Sequence, residues 1–178
     1  MRLAPAVLCA ALLPGCMATG PTYEAAEQSR FIAANHRAAD QIAGGWKPAD
    51  ARAPLLVATV VDIDNLQNSS TLGRVVAEQV AGRLAVRGLT VIELKLRNQL
   101  YVSASQGELL LSRETKDIAH QHQAHAVVVG TYADAGEFVY VSIKLIDVER
   151  NKVLAATDYA LPSLPTVRKM LTTAPAKR

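Results

Sequence analysis

The chain has 178 residues, half of them hydrophobic, with 19 basic and 16 acidic side chains and a formal charge of +3. That length suits a single domain with a real core. Such mild basicity and an aromatic content of 4% exclude the concentrated basic face and the stacking platform that nucleic-acid binding needs.

The first segment sets the expected compartment. Arg2 gives a positive start, and Leu3 to Leu13 is an uncharged apolar run of signal-peptide length. The run is too short to cross a bilayer, which takes ~20 apolar residues. Leu13-Pro14-Gly15-Cys16 follows as a lipobox. It has a branched apolar residue, then a small residue before the cut, then the thiol that takes the lipid. Pro14 is an unusual member of such a box. On this reading residues 1–15 are a lipoprotein signal peptide, Gly15 precedes the cleavage, and Cys16 is the lipidation site. Met17 follows Cys16 where an inner-membrane retention signal would place Asp, so the outer membrane is the expected destination. Cys9 leaves with the signal and Cys16 is consumed by lipid. Disulfides, thiolate metal sites and thiol catalysis are thereby excluded.

Residues 16–53 read as a lipidated tether and an amphipathic lead-in helix. Tyr23 to Ala43 is Ala-rich, with Phe31, Ile32, Ala34, Ala38, Ala39 and Ile42 as its apolar stripe, and Gly44-Gly45 closes it. A stripe of this kind normally packs on the domain's own core, and docking a partner is the alternative. The folded unit is expected over residues 54–161. Leu55 to Ile63 predicts an interior strand. Asn68-Ser69-Ser70-Thr71 offers a cap for a helix from Leu72 to Arg87. Leu72, Val76, Val80 and Leu84 recur in it at i+4, and Gly88 stands at the C′ position. Thr90 to Leu96 alternates as a strand with one wet face. Arg97 to Leu111 reads as a short helix followed by an extended piece.

Ser112 caps a further helix over Glu114 to His122, with Ile118 and Ala119 inward. Ala126 to Tyr132, Phe138 to Asp147 and Lys152 to Ala160 are three more strands, joined by turns at Asp134-Ala135-Gly136 and Glu149-Arg150-Asn151. Residues 162–178 read as a basic, flexible tail. The predicted order is β-α-β-α-β-β-β. It implies an α/β (α+β) two-layer sandwich with a mixed sheet of about five strands. Its first connections are parallel crossovers, its last three strands form an antiparallel meander, and its helices lie mainly on one face.

Two constellations could hold a metal. Asp62 and Asp64 flank the end of the first strand on one side, where α/β sheets often bind ligands. Leu66 and Gln67 break the calcium-loop pattern, and a polar strand end leading into a cap explains the carboxylates equally. His120, His122 and His125 form His-x-His-x-x-His, in which His122 and His125 could converge at i+3. Polar residues at a helix end account for the same pattern. No metal or other cofactor is assigned. Ser69, Ser70 and Thr71 read as caps, since no Gly-x-Ser-x-Gly elbow, Walker motif or dinucleotide fingerprint occurs. No catalytic residue is assigned and no enzyme activity is expected.

An ordered set of segments then resembles a family. These are Asp62-Ile63-Asp64, Asn68 through Arg74, Glu78-Gln79, Gly88-Leu89-Thr90-Val91, Gly107-Glu108, Leu110 through Glu114, Ala126 through Tyr132, and Asp147 with Val153. Together, over roughly residues 55–160, they resemble the FlgO domain of lipoproteins from bacterial flagellar systems. At fold level the arrangement is also similar to TolB N-terminal and CsgG-type secretion lipoproteins. The resemblance implies a non-enzymatic outer-membrane lipoprotein that supports the assembly or stability of an envelope structure, the flagellum first among them, and so motility. The alternative is a general envelope- or secretion-associated lipoprotein whose periplasmic domain binds a ligand or metal. Expected partners are the lipid bilayer through Cys16 and other envelope proteins, including the flagellar basal body; an oligomer is compatible with this.

Overall fold

A computed structural model describes residues 30–48, 52–66, 69–93, 102–103, 110–111 and 113–172. The helices are α1 (Arg30–Gly45), α2 (Thr71–Val86), α3 (Arg113–Gln121) and α4 (Pro165–Thr172). The strands are β1 (Leu55–Val57), β2 (Val61–Asp62), β3 (Val91–Glu93), β4 (Val102–Ser103), β5 (Leu110–Leu111), β6 (Ala126–Asp134), β7 (Phe138–Asp147) and β8 (Val153–Pro162).

The main sheet runs β3-β1-β6-β7-β8, with β2 also on β6. β1 is parallel to both β3 and β6, and β6-β7-β8 is an antiparallel meander. This is the expected mixed sheet. β4 and β5 pair separately, where the sequence suggested a short helix before an extended piece; residues 97–101 lie outside the described residues.

The i+4 stripe explains α2. Leu72, Val76, Val80 and Leu84 are at most 1% exposed, and each such side chain contributes about 1.5–3 kcal/mol on burial. Ser70 is the N-cap, its hydroxyl accepting from the Gly73 amide at 3.2 Å. At the other end Gly88 has φ +83°, its amide donates to Ala85 O, and the Leu89 amide donates to Leu84 O. That is a Schellman closure, with Leu89 packed on the core beside it.

One face of the sheet carries α1, α2 and α4 over Leu55, Val57, Val128, Val139, Val141, Ile143 and Leu145. α3 lies over part of the other face, where Ala119 and Ile118 meet Leu56, Val127, Val129 and Ile146. The expectation of helices mainly on one face holds, with α3 the exception. β3 departs from the one-wet-face expectation over its described length. Val91 packs on the first cluster and Ile92 on the second, because α3 reaches that side.

Two further expectations are corrected. Leu55 to Ile63 is not one continuous strand: the Ala58 amide still donates to Val128 O, but the pairing with β6 then slips by one residue, from Val57 opposite Val128 to Val61 opposite Thr131. A Cβ on Gly73 would stand 2.0 Å from the Val60 carbonyl oxygen, so the helix start presses against this break. The tail is not uniformly flexible either. Val167, Met170 and Leu171, at i, i+3 and i+4, pack α4 on the core, and Pro165 opens the helix.

Gly73→Ala is therefore expected to destabilise the fold by about 1–3 kcal/mol, as overpacking does. Gly82→Ala in the same helix has open space around it and is expected to stabilise by about 0.5–1 kcal/mol. Urea denaturation of the pair checks both signs.

Candidate functional site

The lead-in helix is part of the domain. Phe31, Ala34, Ala38, Ala39 and Ile42 join the main core, as the packing reading of the stripe expected. Polar bonds fix its position. Asn35 is fully buried; its side-chain amide donates to Gln79 Oε1 at 2.6 Å and its carbonyl oxygen accepts from the Tyr159 hydroxyl. The Thr157 hydroxyl donates to Gln41 Oε1. Arg83 grips both oxygens of Asp40 at 2.9 and 2.8 Å, with Arg87 at 3.5 Å. Burial raises the Tyr159 pKa well above the ordinary range, so its hydroxyl stays a donor. The Arg83 hydrogen bonds hold the Asp40 carboxyl below its ordinary value.

The far face of the sheet is closed by α3 only near Leu56, Val127, Val129 and Ile146. Beyond that cover lies an open trough of about 440 Å³, floored by Thr131, Ala133, Tyr140, Ser142, Asp158 and Ala160 and bordered by Ile63. Tyr140 is 55% exposed, Ile63 53% and neighbouring Phe138 42%. This apolar face is the largest feature that the periodicity of single strands did not reveal. Phe138 and Tyr140 alternate with Val139 and Val141, which signals an outward row, but not whether a helix covers it.

The described residues singled out for chemistry lie in turns, a cap and a helix end. Cys16 and Gly15 lie outside the described residues. The Asp62 carboxylate accepts the Asp64 amide at 2.9 Å, a local turn that occupies one of its oxygens. α3 ends at Gln121, and His122 is followed by Gln123 at φ +54°. The Gln123 and Ala124 amides close that end on His120 O and Ala119 O. His122 is thus a cap residue and His125 lies beyond the turn, so the two do not share a helical face. His120 instead has a carboxylate neighbour, with Nδ1 at 3.5 Å from Glu149 Oε1, both well exposed. Among the described residues no group of three or more His, Cys, Asp or Glu is placed to hold a metal. Of Ser69, Ser70 and Thr71, Ser70 is the cap; the Ser69 hydroxyl donates to Val60 O at 3.5 Å and the Thr71 hydroxyl accepts from Arg74 at 3.0 Å. No described helix is long and apolar enough to cross a membrane.

These features define an α+β domain with one closed face, one partly open face and a docked N-terminal helix. Residues 36–166 match the family model described as FlgO protein, and the chain belongs to that family. Its fold is similar to the C-terminal domain of LpoB from Salmonella enterica, with TM-score 0.53 and 17% identity, over 75% of this chain and 99% of that one. The same domain from Escherichia coli matches with TM-score 0.52 and 18% identity, over 75% and 98%. No curated protein matches the sequence.

Two outcomes test this account. Asp40→Asn is expected to lower stability at neutral pH. The loss should fade as pH falls below about 4, the ordinary carboxylate range, because a depressed carboxyl stabilises the fold only while ionised. Denaturation midpoints measured against pH check it. Zinc addition is expected to leave the Tm of the protein unchanged, and a saturable rise abolished by His122→Ala would restore the metal site.

Proposed function

We propose that this protein is a non-enzymatic lipoprotein of the outer membrane, anchored through Cys16, that supports the assembly or stability of a flagellar structure in the envelope. The observation that carries the reading is the FlgO match over residues 36–166, preceded by the lipobox Leu13-Pro14-Gly15-Cys16. Anchoring strength follows from acyl chemistry. Each buried methylene contributes ~0.8 kcal/mol, so one chain holds marginally and several hold firmly. Residues 17–29 can extend at most about 50 Å, so the domain would work close to the membrane that carries it. The non-catalytic part is supported by hydroxyls committed to capping and by carboxylates committed to turns.

Cys16→Ala is expected to release the domain into the soluble periplasmic fraction and to reduce swimming in a flagellated host to the level of a deletion strain. Membrane retention of that variant would remove the anchor. Release with full motility would remove the link between anchoring and function.

A further inference from the structure

Among the described residues β8 ends the main sheet and pairs on one side only, with β7. The Ser163 amide donates to Glu137 O at 2.8 Å. Counting back from that bond, antiparallel alternation turns the backbone groups of Leu161, Tyr159 and Thr157 toward β7. Those of Ala160, Asp158 and Ala156 point away from the sheet. The side chains of the same three residues are exposed and lie on the open face. Two are alanines, so little stands in the way of another backbone.

The free stretch has defined ends. At its start the β7–β8 register shifts between Leu145 and Ile146, and Gly45 of α1 abuts Ala155 and the Leu154 carbonyl. At its end Pro162 has no N–H to offer. Bulges, prolines and covers are the usual guards of a sheet edge. Here they close both ends and leave residues 156–160 open. The surroundings select a ligand. Asp158 stands on the edge, Asp134 and Glu137 lie in the turn beside β7, and Asp64 follows β2 near the trough. Lys144 is the one cation within β6, β7 and β8. Two copies of β8 centred on Asp158 would set like charges opposite one another, which is unfavourable.

We propose that the β8 edge from Ala156 to Ala160 accepts an extended, cationic segment of a partner protein as an additional strand. Its basic side chains share the open face with Asp158, and the alternate side chains turn to the face that α1 covers. Strand addition draws affinity from main-chain bonds and specificity from alternate side chains. This deepens the assembly reading by naming a docking edge, and it is tested by binding rather than motility, so either can fail alone.

The probe is a fluorescent ten-residue peptide of alternating Lys and Val, titrated against the full lipidated chain in detergent, with a Glu/Val peptide as control. The Lys/Val peptide is expected to bind saturably and more weakly as salt rises, and the Glu/Val peptide not to bind. Ala160→Pro removes an outward N–H without touching the β7 ladder and is expected to weaken binding at least about tenfold. Asp158→Lys, a surface change, is expected to shift preference toward the Glu/Val peptide. Equal binding of the two peptides by the native chain, or undiminished binding by a folded Ala160→Pro variant, overturns the proposal. So does self-association that Ala160→Pro abolishes, because the occupant is then a second copy.

Discussion

The structure turns on the buried side chain of Asn35. An amide removed from water needs partners, or it costs about 1–3 kcal/mol. Asn35 has partners on two different elements, Gln79 on α2 and Tyr159 on β8. Those bonds can be made only when α1 sits in one place, over β8 and against α2. The apolar part of the same interface is built largely from alanines, which fill space but specify position weakly. Asn35 therefore selects the register that Ala34, Ala38 and Ala39 would tolerate in more than one form. The Asp40–Arg83 pair at the rim adds orientation more than stability, since both groups remain about one-third exposed.

A second constraint operates where α2 begins. Val60 lies in the break between β1 and β2, with its carbonyl against Gly73 and its side chain close over Gly130. The helix start comes too near Val60 for any side chain larger than hydrogen at Gly73. The Ser69 hydroxyl reaches back to Val60 O, and burial raises the Tyr132 pKa, an effect partly offset by a hydrogen bond with Ser70. The polar residues that follow the first strand thus serve the junction of strand, cap and helix.

Much of this was legible in the sequence because periodicity reports which side of an element is buried. The α2 stripe, the Gly88 closure, the meander and its turns follow from local rules, and the family resemblance spans the same region. What escaped depended on tertiary contact. The approach of Val60 to Gly73 joins residues forty-odd ångströms of chain apart at full extension. The docking of α4 needs the core under Val167, and its basic residues mask that short apolar stripe. The His pattern had two readings, and the helix-end reading matches the structure. Its spacing suited a helical face, but Gln123 at positive φ ends the helix among those residues. Exposure of Tyr140 and Phe138 was unreadable because alternation cannot say whether α3 extends far enough to cover them.

Two features of the fold meet on β8, the docked lead-in helix and the sheet edge. α1 packs on the inner side of β8 through Tyr159, Thr157 and Ala155. The open edge belongs to the same strand, at the residues between. Side chains of Thr157 and Tyr159 face the helix while Ala156, Asp158 and Ala160 face the open side. A strand that gained a neighbour on its edge would be stiffened at the residues that hold α1. Conversely, α1 braces that edge from behind, so that it presents a flat, ordered ladder. The alternation of a single ten-residue strand thereby joins the docked lead-in helix to the edge proposed for a partner, with no moving part required.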